Sequence, residues 1–176
     1  MEGGRLARDH QWFSPLILRS RIPLHWRKFV KPYPHSYTVA AEGSASGAIS
    51  VASTGLPAIA TAPPPEFDGP GGVWSPGTLL IAAIADCFIL TFRGVSRAAR
   101  FEWVGLQARV DGTLERVSGV AQFVRYLTTV TLTIPSDADH AKARELLERA
   151  EKLCLVANSL RGERTLEVQV REMAAA

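Results

Sequence analysis

The chain has 176 residues, of which 47% are apolar and 21% charged. One domain of that size buries a core without disulfide or metal staples, and the polar interruptions exclude a long disordered chain. The formal net charge of +3 would suggest nucleic acid if it were spread over a folded face. It is not: residues 1–34 hold seven Lys/Arg against Glu2 and Asp9, whereas residues 35–176 hold thirteen against fifteen acids.

Residues 1–34 mix Arg with Trp12, Phe13, Trp26 and Phe29 and follow neither a helical nor a strand period, so they read as a basic, poorly ordered extension. Their longest apolar run, Leu16-Ile17-Leu18, stops at Arg19, short of a secretory signal. A cytoplasmic location is therefore expected. The domain itself is assigned to residues 35–176, with its fold starting near Tyr33.

Ser36–Gly43 and Ala48–Thr54 read as a hairpin turning between Gly43 and Gly47. The stretch Gly55–Trp74 carries five prolines and four glycines and reads as a long loop. Its Phe67 and Trp74 are candidates for the apolar wall of a pocket. Ser75-Pro76 is a cap followed by proline at the first helical position, and the helix is predicted to reach Ala99. Between Leu79 and Phe92 its only polar side chains are Asp86, Cys87 and Thr91, the signature of a buried central helix. Asp86 and Arg93 argue against a membrane span.

Alternation from Val104 to Leu114, a turn at Val117-Ser118-Gly119 and renewed alternation over Val120–Ile134 predict a long antiparallel hairpin with one buried face. A second helix follows, capped by Ser136 with Asp139 three residues on. Its apolar seam runs through Ala143, Leu146, Leu147, Ala150, Leu153, Cys154, Ala157 and Leu160. Leu166, Val168 and Val170 alternate in a closing strand. The fold class is α+β, and the central helix is apolar on more faces than one chain of this size covers, which points to a dimer.

Cys87 and Cys154 are the two thiols of the chain. Each lies on a helix whose apolar surface belongs to the same core, so they are either inert core residues or a transient redox pair. The segment Ser75-Pro76-Gly77-Thr78-Leu79-Leu80-Ile81-Ala82-Ala83-Ile84-Ala85-Asp86-Cys87-Phe88 resembles the central-helix motif of the OsmC/Ohr family, the osmotically inducible and organic hydroperoxide resistance proteins. Cys154-Leu155-Val156-Ala157-Asn158-Ser159-Leu160-Arg161-Gly162 is similar to that family's second-cysteine motif, with Leu155 and Ala157 where the family has Pro and Ser. The resemblance spans Tyr33 to Glu172.

That resemblance implies antiparallel sheets around a long central helix, an intertwined homodimer and a thiol peroxidase active on alkyl or fatty-acyl hydroperoxides. Cys87 would be the peroxidatic thiol and Cys154 the resolving one, with a dithiol such as dihydrolipoamide, or another thiol, as external reductant and no bound cofactor. A free thiol is only a few per cent ionised at neutral pH, so the nucleophile needs a cation beside it. Cys87 sits about 18 Å along its helix at 1.5 Å per residue, too deep for the helix dipole. The family's activating Arg and the Glu that holds it fall on Glu66 and Gly77 here, and Asp86 adjoins the thiol. Arg93, Arg97 and Arg161 are the candidate cations, with Glu66 to orient one of them.

Metal binding is not expected, because the cysteines form no CxxC pair and His10, His25, His35 and His140 are scattered. No phosphate loop, dinucleotide fingerprint or nucleophile elbow occurs. Two functions stay open: a peroxidase for organic hydroperoxides in oxidative-stress defence, and a non-catalytic dimer that binds an apolar small molecule. Neither involves nucleic acid or a membrane.

Overall fold

Alternating apolar and polar residues make the largest element, a hairpin. In this computed structural model, which describes residues 32–174, β4 (Gly105–Val117) and β5 (Val120–Ile134) pair antiparallel through a turn with positive φ at both Ser118 and Gly119. Such a turn matches the right-handed twist of the strands it joins. β6 (Glu163–Glu172) adds to the other side of β5, and it runs parallel, with Val130 opposite both Ala108 and Val168. A strand reached by a helical crossover returns in that direction. The sheet therefore has one apolar face, built on Tyr126, Val130, Leu132 and Ile134, and one polar face carrying the Arg109–Asp111 ion pair.

The chain divides into two units, Met1–Tyr37 and Thr38–Ala176. Of the first, residues 32–37 are described; they are exposed, and the Tyr33 and His35 rings lie 4.7 Å apart. The reading of residues 1–34 as an extension thus falls, but for residues 32–34, outside the described residues.

The second unit opens with three short antiparallel strands, β1 (Ala40–Glu42), β2 (Ile49–Ala52) and β3 (Ile59–Thr61). The third strand corrects the expectation of an unbroken loop from Gly55 to Trp74. Three residues are too few to show a period, and pairing with β2 together with a bridge from Thr61 to Trp74 holds them extended. A single 3₁₀ turn, Pro65–Phe67, follows.

Helix α1 (Pro76–Ala99) has the expected ends. The Ser75 hydroxyl accepts from the Thr78 amide at 3.1 Å, and the Ser75 amide donates to the Thr78 hydroxyl at 2.8 Å. The buried side chains Ile84, Cys87, Phe88, Phe92, Val95 and Ser96 recur at three and four residues and define one face. The helix is long and apolar enough to cross a membrane by length and composition, yet that face packs against α2 and β4 as a core helix does. The opposite face is open in the single chain, with Leu90 52% exposed. Gly112 of β4 lets α1 approach the sheet: a Cβ there would collide with Ile81 Cδ1 and lie 3.0 Å from Phe123.

Helix α2 (His140–Leu153) begins three residues later than a Ser136 cap predicts, because Asp139 is itself the cap and accepts from the amides of Ala141 and Lys142. The predicted continuation to Leu160 is a second correction. The helix stops at Leu153, Cys154 turns extended (φ −63°, ψ 107°), and a separate turn, α3 (Leu155–Asn158), follows. Leu153, expected on the seam, is 53% exposed. The main core joins Phe88, Phe92 and Val95 of α1 to Val130, Leu132 and Ile134 of β5 and Leu146 and Leu147 of α2.

Candidate functional site: a buried thiol pair

A smaller cluster beside that core contains Ile84, Cys87, Tyr126, Cys154 and Ala157. Cys87 reaches it because it lies one turn after Ile84 on the buried face of α1. Cys154 reaches it through the break between α2 and α3, which directs its side chain inward. Both cysteines are free of any disulfide and buried, with exposures of 8% and 1%. Ile81, Val110, Phe123, Val156 and Leu160 pack around them, so each thiol occupies an oily setting.

Cys154 is the harder thiol to ionise. Burial pushes it up to about 11, the backbone amides of Ala157 and Val156 offset part of this, and the neighbouring Cys87 thiol raises it further. The two thiols lie together in the one buried cluster. Cys87 Sγ also lies 3.9 Å from the Thr91 hydroxyl, one turn along α1.

The proposed cations do not gather here. Arg93, Arg97 and Arg161 are exposed, and among the described residues neither helix arginine pairs with Asp86. A different arginine, not singled out by the sequence motifs, shares a small cavity with the second thiol. Arg164 lines a cavity of about 10 Å³ together with Cys154, Tyr126, Thr128 and Glu151. Its Nε is 3.3 Å from Glu151 Oε1, and its Nη1 donates to Asn158 Oδ1 at 2.7 Å. Motif spacing alone could not reveal this group, because Glu151 and Arg164 meet only when β6 returns along β5.

A groove of about 950 Å³ opens over the start of α1, between β2, the 3₁₀ turn and the β4–β5 hairpin. Phe67 lines it; Trp74 does not, its backbone being engaged with Thr61 and Ala62 at the edge of β3. Glu66 also lines it and is, among the described residues, its one charged side chain. Ile81 and Phe123 belong both to the groove wall and to the packing around the thiols, so the two features are contiguous.

A family model described as OsmC-like protein matches residues 69–169, which include α1, both cysteines and nearly all of the larger sheet. The chain belongs to the OsmC-like family. A relative from Bacillus subtilis (strain 168), the uncharacterized protein YmaD, is 28% identical over 109 residues, covering 60% of this chain and 73% of its own. The OsmC-like protein VCA0330 of Vibrio cholerae superposes with a TM-score of 0.70 at 16% identity, over 77% of this chain and 99% of that one. The organic hydroperoxide resistance protein OsmC of Legionella pneumophila gives 0.64 at 20% identity, over 80% and 99%. These likenesses establish the OsmC/Ohr fold.

Proposed function

We propose that this OsmC-like chain is a thiol-dependent peroxidase for organic hydroperoxides, acting in a reducing cytoplasm as a homodimer. The observation that carries the reading is the pair of free, buried, neighbouring thiols on separate elements. In the first step the Cys87 thiolate attacks the distal peroxide oxygen. An S–O bond forms, the O–O bond breaks, and the alcohol leaves after taking up a proton, which converts Cys87 to the sulfenic acid. Cys154 then attacks that sulfur, water departs, and the two cysteines are joined as a disulfide. An external dithiol such as dihydrolipoamide restores both thiols and is itself oxidised to a disulfide.

The groove supports an organic rather than an inorganic peroxide, because its walls are mostly apolar and adjoin the thiols. With Glu66 as the charge at its rim, uncharged alkyl and aryl hydroperoxides suit it better than free fatty-acid hydroperoxides. The test is rapid mixing of reduced protein with cumene hydroperoxide while thiol loss is followed. The parent is expected to lose both thiols and Cys87→Ser to consume no peroxide above background; equal rates for the two would overturn the proposal.

The size of the groove and the exposure of the candidate cations also support a second reading, a dimer that binds an apolar small molecule without turnover. Co-purified lipid, together with slow, unselective alkylation of Cys87, would favour it.

A further inference from the structure

The break that carries Cys154 has no local cause. Leu153, Cys154 and Leu155 include neither proline nor glycine, and leucine favours helix. A helix running through to Leu160 is what this stretch specifies by itself. Instead Cys154 turns to ψ 107°, with its amide on the Glu151 carbonyl at 3.2 Å and its own carbonyl accepting from the Asn158 amide at 2.9 Å. Something outside the stretch must hold it there.

Arg164, the second residue of β6, is bound to both sides of the break. It pairs with Glu151, three residues before Cys154, and donates to Asn158, four residues after it. Asn158 in turn donates through Nδ2 to the Lys152 carbonyl at 2.9 Å, which ties α3 back to the exposed end of α2. The Arg164–Glu151 pair is the most sheltered ion pair among the described residues: its side chains are 32% and 21% exposed, while every other paired side chain is at least 40% exposed. Sheltered and doubly anchored, such a pair fixes geometry better than a mobile surface bridge.

We propose that Arg164 is a positioning residue that holds the α2–α3 break open and so keeps the Cys154 sulfur beside Cys87. The inference rests on the reading of the two cysteines as a redox pair. Without the clamp, α2 and α3 fuse or fray, Cys154 turns away from Cys87, and closure of the disulfide slows while attack on peroxide by Cys87 does not.

The test measures disulfide formation in two ways on the full chain. In a glutathione redox buffer the two thiols and one oxidised glutathione give the intramolecular disulfide and two reduced glutathiones. Arg164→Met is expected to lower the equilibrium constant at least tenfold, Arg164→Lys to recover part of it through Glu151, and Asn158→Ala to lower it less than Arg164→Met. With cumene hydroperoxide, Arg164→Met should accumulate Cys87 sulfenic acid, captured by a dimedone probe, at the parental rate. In a Cys154→Ser background the Arg164 substitution should change neither sulfenic acid formation nor Cys87 alkylation. Circular dichroism of each variant checks that it is folded.

An unchanged glutathione equilibrium in folded Arg164→Met overturns the inference and leaves the peroxidase reading intact. A parent that forms the disulfide with glutathione but does not react with hydroperoxide overturns the peroxidase reading and leaves the clamp standing, provided the variants order as expected. Equal slowing of sulfenic acid formation and disulfide closure in Arg164→Met also overturns it.

Discussion

Cys154 shows how one side chain's surroundings set its chemistry. Its thiol is held up to about 11 chiefly by burial, so in the reduced protein it stays protonated across the physiological range. The folded value lies above the ordinary value of 9.0, so the folded state holds this proton more firmly than the unfolded state does. The resulting stability is fully present below about pH 9 and is lost as pH rises toward 11. Two results are expected: Cys154 alkylation by iodoacetamide in Cys87→Ser should still rise with a midpoint above the ordinary 9.0, because burial persists while the contribution of the Cys87 thiol is removed, and Cys154→Ala should reduce the fall in stability between pH 9 and 11, read by urea titration. A midpoint near the ordinary value would contradict the burial seen here. At this scale the two cysteines were legible in the sequence, since their positions on apolar faces and the motifs around them single them out. Arg164 and Glu151 were not, because their meeting depends on β6 pairing with β5.

Elements whose ends are written locally could be read from the sequence. Helix α1 starts and stops as expected because Ser75, Thr78 and Pro76 cap it and Arg100 turns left-handed at its end. The hairpin was equally legible from its alternation and from Ser118-Gly119. β3 and the α2–α3 break were not, because tertiary contacts override local preference in both. The break itself leads to a prediction. A residue preceding proline is confined to extended conformations, which Cys154 already occupies, and proline is accommodated at the first position of a helix, which Leu155 occupies. Leu155 is 64% exposed, so little packing is lost. Leu155→Pro is expected to preserve the thiol pair and raise stability by about 0.4–1 kcal/mol, by restricting the unfolded chain. A loss of more than that in urea titration would mean that the Leu155 amide is needed.

For the whole molecule, the uncovered face of α1 and the small first sheet pose one question. The strands β1 to β3 pack chiefly on one another, and a sheet of three short strands needs a covered hydrophobic face or a helix against it to be stable in water. A second copy would cover both features, which is the physical case for the homodimer. Leu90→Lys is expected to shift the protein toward monomer in light scattering at micromolar concentration and to lower its melting temperature. An unchanged mass would place the contact elsewhere.

The register of the larger sheet also orders events along the chain. β4 meets β5 across a two-residue turn, whereas Thr129 and Glu167, opposite one another in β5 and β6, are 38 residues apart. Closing the second ladder costs more chain entropy and rewards it later. The Arg164 side chain arrives with that last ladder, so an oxidant that meets the nascent polypeptide earlier finds two unacquainted sulfurs. On the proposed redox reading, a cross-link between Cys87 and Cys154 would therefore mark chains in which this ladder has already closed.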